Sequence, residues 1–333
     1  MRKSRSSPAG SASPRFLHEV RVRAMATDFV VLLPPDCGHQ LDSALDALGL
    51  VPEIEARLSV YRIDSDVSRL NRAGGEPCEV HADVIEVLKR AAAVSQQTEG
   101  AFDITAGPLV DAWGFTTRSG RKPQADEIAA ALAEVGWRQV AIDADRRRVR
   151  LGSPSARINF GAIGKGFAID RVTADLLQRD VTDFLIHGGN STIAARGSAD
   201  PESDPDGGWL VGLQHPQLPK QRLGEIRLCD AAMSTSGPGK QFFHHRGKRY
   251  GHVIDPRTGM PAGDLESLTV VTAQATESDA LATGLFVAGR EAASAYAEAQ
   301  GVALYGVAAK RRQGEVEVVL AGGAELRQID RDG

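Results

Sequence analysis

The chain has 333 residues, of which 42% are hydrophobic and 25% charged, and its formal net charge is −4 at pH 7. Those proportions are ordinary for a globular protein with a sizeable core, and the charge balance excludes the broad basic field that nucleic-acid binding needs. With aromatics at 5% and three cysteines, Cys37, Cys78 and Cys229, none in a CxxC pair, the sequence signals no base-stacking platform, no disulfide framework and no zinc site.

Residues 1–16 are basic and rich in Ser and Pro, with no apolar core of a secretory signal, and read as a disordered tail. Residues 17–330 read as a single domain. Period-two alternation predicts strands over residues 19–24 and 28–33, the second stopped by Pro34-Pro35. Leu41, Ala44, Leu45 and Leu48 have helical spacing within residues 40–58. Asp83 is the predicted N-cap of a helix ending near Ser95. A helix over 125–135 closes at Gly136, and a hairpin is predicted around Asp143-Ala144-Asp145. An amphipathic helix follows over 166–177, then a strand at 184–186 entering Gly188-Gly189. Further strands are expected at 209–213, 223–228, 268–273, 303–307 and 316–320, with helices at 278–287 and 291–299. Residues 198–208 read as a surface loop. Strands in runs and hairpins, not regular βαβ units, favour an α+β fold.

Several segments carry chemistry. Asp279 and Thr283 are four apart and share a helix face, offering hard oxygen ligands suited to Mg²⁺. The ordinary alternative is a first-turn acid and a packed threonine. Gly161-Ala162-Ile163-Gly164-Lys165-Gly166 lets the backbone approach an anion, with Lys165 as a point charge. It is not a Walker A loop, because Gly166 stands where Ser or Thr is required. His252, in Gly251-His252-Val253-Ile254-Asp255-Pro256, is a candidate general base, with Asp255 able to orient the loop or ring; Asp-Pro is equally a turn former. Ser234-Thr235-Ser236-Gly237 offers hydroxyls and amides to phosphate oxygens. Met25, Thr27 and Tyr61 offer a surface for an aromatic ring. Phe102-Asp103-Ile104-Thr105 reads as packing, with Asp103 capping a short helix. His244-His245 reads as a polar hairpin tip.

In this order the motifs resemble the ApbE-type FAD:protein FMN transferases, from about Val20 to about Gly289. The resemblance rests on Met25 and Thr27, Ser59-x-Tyr61 with Asp64-Ser65, Arg69-Leu70-Asn71, Gly100 to Thr105, Pro108-Leu109 and Trp113-Gly114-Phe115. It continues through Gly161 to Asp170, Gly188-Gly189, Ser234 to Gly237, His252 to Pro256 and Asp279 to Thr283. It implies an FAD cleft between subdomains, antiparallel or mixed sheets, and transfer of FMN from FAD to a threonine of a flavoprotein, with Mg²⁺ bound and AMP released. It further implies metal contacts from Asp279, Thr283 and the Ala162 carbonyl, and His252 as activator of the acceptor. Lys165 and Ser236 would lie near the pyrophosphate, Asp170 toward adenosine, and Tyr61 and Met25 at the flavin. Phe102, Asp103, Gly188, Gly189 and Thr235 would complete the FAD pocket.

The chain departs from the pattern in three ways. It has no lipobox around Cys37, which predicts a cytoplasmic protein unless an export signal was removed. Asn190 follows the paired glycines where Asp is usual. Ile104 follows Phe102-Asp103 where Pro is usual. Competing expectations are an Mg²⁺-dependent FAD pyrophosphatase and a non-catalytic FAD-binding protein. Tyr61, if it shields the pocket, leans toward transfer.

Overall fold

The computed structural model describes residues 16–328, leaving out 118, 205–206, 219, 239–241 and 311–314. Of the tail predicted over 1–16, only Phe16 falls within the described residues. The first half of the chain runs β1 (His18–Ala24), β2 (Thr27–Leu33), α1 (Leu41–Leu48), α2 (Leu50–Leu58), α3 (Asp66–Arg72), β3 (Cys78–Glu79), α4 (Ala82–Gln97), α5 (Gly107–Ala112), α6 (Ala125–Ala133), β4 (Ala141–Asp143) and β5 (Arg148–Arg150). The second half runs α7 (Gly164–Gln178), β6 (Phe184–Gly188), β7 (Thr192–Arg196), β8 (Trp209–Gln214), β9 (Arg222–Leu228), β10 (Ala232–Ser236), β11 (Phe242–His245), β12 (Lys248–Gly251), β13 (Ser267–Thr272), α8 (Ala275–Ala288), α9 (Arg290–Gln300), β14 (Leu304–Ala309) and β15 (Val316–Ala321).

One eight-stranded sheet organises the molecule, in the order β1-β2-β6-β7-β10-β13-β14-β15. Every pairing in it is antiparallel. The α+β expectation therefore holds, in an antiparallel form. Alternation along each strand divides side chains between two faces. On β7, Ala194 joins the large core that includes Phe167, Ile169 and Leu281, whereas Ile193 and Ala195 join a second cluster with Trp209, Leu213 and Ile226. The helices α7 and α8 thus cover one face, and the β8–β9 hairpin covers part of the other. A third cluster, of Leu109, Trp113, Phe115, Tyr250 and Ile254, joins α5 to the β11–β12 hairpin.

Two local expectations change. The helix predicted over 40–58 is broken at Gly49 into α1 and α2. Pro52 explains the break: it has no N–H and is tolerated only in a helix's first turn, which is where α2 places it. Asp83 does not cap α4. His81 is the N-cap and accepts from the Asp83 amide, while the Asp83 carboxylate is drawn to Arg57 (2.5 Å) and Arg171 (2.6 Å). Burial alone would raise the Asp83 pKa, but the hydrogen bonds from Arg171 and Arg57 outweigh it and hold the carboxyl below its usual range.

Candidate active site

The site is assembled where α7 and α8 touch. At Gly166 a Cβ would lie 2.1 Å from the Ala275 carbonyl oxygen, so only glycine lets the two backbones meet there. Each helix begins with amide groups that lack an intrahelical acceptor, and each receives a carboxylate from the other. Asp170 of α7 accepts from the amides of Ala275 (2.7 Å) and Thr276 (2.9 Å) and from the Thr276 hydroxyl. Asp279 of α8 accepts from the Gly166 amide at 3.1 Å through Oδ2.

Asp279 is only 7% exposed, a position at which an isolated carboxylate would be strongly disfavoured. Its compensation is local. Oδ1 receives Lys165 Nζ at 3.3 Å and the Thr192 hydroxyl at 3.2 Å, and the α7 N-terminus adds its positive end to Oδ2. One turn along α8, Thr283 Oγ1 donates to the Asp279 carbonyl (3.4 Å) and lies 3.4 Å from Ser236 Oγ. The fourth residue after Ala162 is Gly166, so the Gly161 to Ile163 turn leads directly into the helix end that holds Asp279.

β10 supplies the other wall. Ser234 Oγ meets Ser278 Oγ at 2.8 Å, and Ser236 faces Thr283, so alternate β10 hydroxyls point to α8. Two residues beyond Ser236, the Pro238 carbonyl lies 3.1 Å from His252 Nδ1. A carbonyl only accepts, so Nδ1 must carry the proton, and in the neutral ring the basic lone pair is on Nε2. Phe115 packs edge-on to the His252 ring, with centroids 6.3 Å apart. The loop after His252 is closed by Ala262 N to Val253 O (2.9 Å) and by Trp113 Nε1 to the Gly259 carbonyl (2.8 Å). A line of polar groups therefore runs from Lys165 and Asp279 through Thr283 and Ser236 to the segment holding His252.

The ApbE family profile matches residues 22–305. The chain belongs to the ApbE family. It is 33% identical over 265 residues to the FAD:protein FMN transferase of Haemophilus influenzae, covering 77% of this chain and 75% of that one. It is 34% identical over 256 residues to the protein of that name from Vibrio cholerae, covering 75% of this chain and 74% of that one. Among solved structures it superposes on the flavin transferase ApbE of V. cholerae with a TM-score of 0.77 at 27% identity, over 92% of this chain and 98% of that one. The ApbE protein of Thermotoga maritima gives a TM-score of 0.80 at 28% identity, over 91% and 97%.

The residues on which the resemblance rests do not all converge. Lys165, Asp279, Thr283 and Ser236 do, and His252 joins them through the Pro238 carbonyl two residues beyond Ser236. Asp170 is occupied at the start of α8, a positioning role for the helix that carries Asp279. Thr235 Oγ1 is 2.7 Å from Thr269 Oγ1, on the opposite face of β10 from α8. Asp103 does not cap a helix: it accepts from Thr105 and from the Trp137 amide 34 residues away, tying two loops together. Burial raises its pKa against those hydrogen bonds. Phe102 is buried beside it. Asp255 grips Arg257 (2.9 and 3.0 Å) and does not orient the His252 ring. Met25 (φ 50°) lies in the β1–β2 turn. Thr27 packs under Gly189, whose φ is 60° and where a Cβ would fall 2.6 Å from Thr27 Oγ1. Gly188 is the last residue of β6, paired with Phe29. Tyr61 is 85% exposed, so it shields no pocket; its loop is held by Ser65 and Ser68 hydroxyls donating to the Ser59 carbonyl, which leaves the ring outward.

Sequence reasoning missed Thr192 and the Trp113–Gly259 hydrogen bond. A threonine in a strand is unremarked by propensity. Its signal is only that it stands on the same face as Ala194, where a purely apolar side chain would pack as well.

Proposed function

We propose that this chain transfers FMN from FAD to a threonine hydroxyl of an acceptor flavoprotein, with Mg²⁺ bound and AMP released. The observation that carries the reading is the buried Asp279, flanked by Lys165 and Thr283 and linked through Ser236 and Pro238 to His252. The family membership supports it. The donor set fits Mg²⁺. Asp279, Thr283 and the Ala162 carbonyl are hard oxygens, and a single carboxylate suits an ion that keeps waters and shares substrate phosphates. Among the described residues no group of three His, Cys, Asp or Glu side chains offers a site for a softer metal. When bound, Mg²⁺ would neutralise charge on the pyrophosphate.

The chain's own groups do the rest. Lys165 attracts the pyrophosphate as a point charge, and the positive end of α7 adds to the field there. His252, with its proton fixed on Nδ1 by the Pro238 carbonyl, accepts the threonine proton at Nε2. The threonine oxygen forms a bond to the FMN phosphorus, the bond from that phosphorus to the bridging oxygen breaks, and AMP leaves with the electron pair. Positioning of these reactants supplies most of the acceleration. No helix among the described residues is long and apolar enough to cross a membrane.

The test is AMP release from FAD with Mg²⁺, with and without a threonine-containing acceptor, while the acceptor's mass is followed. AMP matched by FMN on the acceptor is expected. Asp279→Ala should abolish both, and His252→Ala should keep FAD binding while losing transfer. Free FMN with an unmodified acceptor would replace transfer by hydrolysis, and no AMP at all would leave only flavin binding.

A further inference from the structure

We infer that Thr192 is a positioning residue that fixes the metal-facing carboxylate of Asp279; the inference rests on the reading of Asp279 as a metal ligand. Thr192 is fully buried at the start of β7. It pairs with Gly188 on one side and Ser234 on the other. All three positions face α8: Ser234 bonds Ser278, and a Cβ at Gly188 would strike Phe29 of the main core. Gly188 and Ser234 are small, so the Thr192 side chain has the space between them and its hydroxyl reaches Asp279 Oδ1 at 3.2 Å.

The three donors on Asp279 are not equivalent. The Gly166 amide is fixed by the helix. Lys165 Nζ sits on a flexible stem and serves a phosphate equally well. Thr192 is rigid, neutral and set in the middle strand region of the sheet, so its hydroxyl alone can hold Oδ1 in one rotamer when Lys165 turns to substrate. A hydrogen bond of this kind orients a ligating carboxylate, and losing one typically weakens metal affinity ~10–100-fold. The turn before it, Gly189 and Asn190 with φ of 60° each, delivers Thr192 to this register.

The probe is Mn²⁺ alone, titrated against the full chain and followed by the electron paramagnetic resonance of the free ion. Wild type should bind one ion, and Asp279→Ala none. Thr192→Val, which keeps the shape and removes the donor, should raise the Mn²⁺ Kd about 10-fold or more. Thr192→Ser should restore it, with Thr192→Ala as the hydroxyl-free partner to Ser should Val not fold. FAD affinity without metal should be equal in all four. Equal Mn²⁺ Kd values in wild type, Val and Ala overturn the inference and leave the metal reading standing. A wild type that binds no Mn²⁺ overturns both.

Discussion

Replacing Trp113 with Phe should loosen the loop that carries His252 from a distance. Trp113 is fully buried, and its Nε1 donates to the carbonyl of buried Gly259 at 2.8 Å. Phe keeps a ring against Tyr250 and Phe243, whose centroids lie 5.4 and 6.2 Å away. It deletes the donor, leaving a buried carbonyl unsatisfied at a cost of ~1–3 kcal/mol. The smaller ring removes roughly 40 Å³, worth about 1 kcal/mol at ~24 cal/mol per Å³ of unfilled cavity. Together these give about 2–4 kcal/mol, to be read as a lower urea midpoint at unchanged m-value. The Gly259 carbonyl belongs to the turn closed by Asp255 N to Met260 O (2.8 Å). If that turn shifts by an ångström, His252 shifts with it, and AMP release should slow by up to ~100-fold with FAD affinity nearly unchanged. A Trp113→Phe protein with wild-type midpoint and wild-type rate would refute the claim that this hydrogen bond holds the loop.

Gly166→Ala should destabilise the chain by at least ~3 kcal/mol, because its Cβ would enter the Ala275 carbonyl at 2.1 Å; a loss below ~1 kcal/mol in urea unfolding would mean α7 and α8 are not in backbone contact. Asp83 should govern part of the acid limb. Its folded pKa lies below the ~3.9 of an unfolded aspartate, so its pairing with Arg171 and Arg57 contributes fully above that pH and is lost as pH falls through the folded value. Stability measured against pH from ~5 downward should therefore fall less steeply in Asp83→Asn than in wild type, and identical slopes would remove Asp83 from the acid response.

Much of this was legible in the sequence because it rests on local rules. Alternation located β1 and β2, the apolar run before the glycine pair located β6, and helical spacing located α4, α7 and α8, whereas β7, just beyond the glycines, was not found. The pairing of Asp279 with Thr283 follows from the helical repeat alone. What was not legible depends on contacts across long stretches of chain. Asp83 has the composition of a cap, yet two arginines from α2 and α7 claim its carboxylate. The resemblance sets Asp170 toward adenosine, yet α8 begins beside it and takes its carboxylate. Thr235 and Ser236 are adjacent in a motif, and only the strand's period separates their faces. Thr192 acquires a role solely because β7 lies opposite α8, a placement no short window of sequence contains.

The exchange of carboxylates between α7 and α8 also sets an order of events during synthesis. Asp170 and Asp279 are more than a hundred positions apart, and neither helix start is satisfied until both have left the ribosome. At ~5–20 residues per second, α7 waits several seconds with an open end before its partner arrives. The nascent chain therefore cannot engage a nucleotide productively until α8 has docked, so a helix made late in synthesis, after most of the sheet, is the one that switches the centre on.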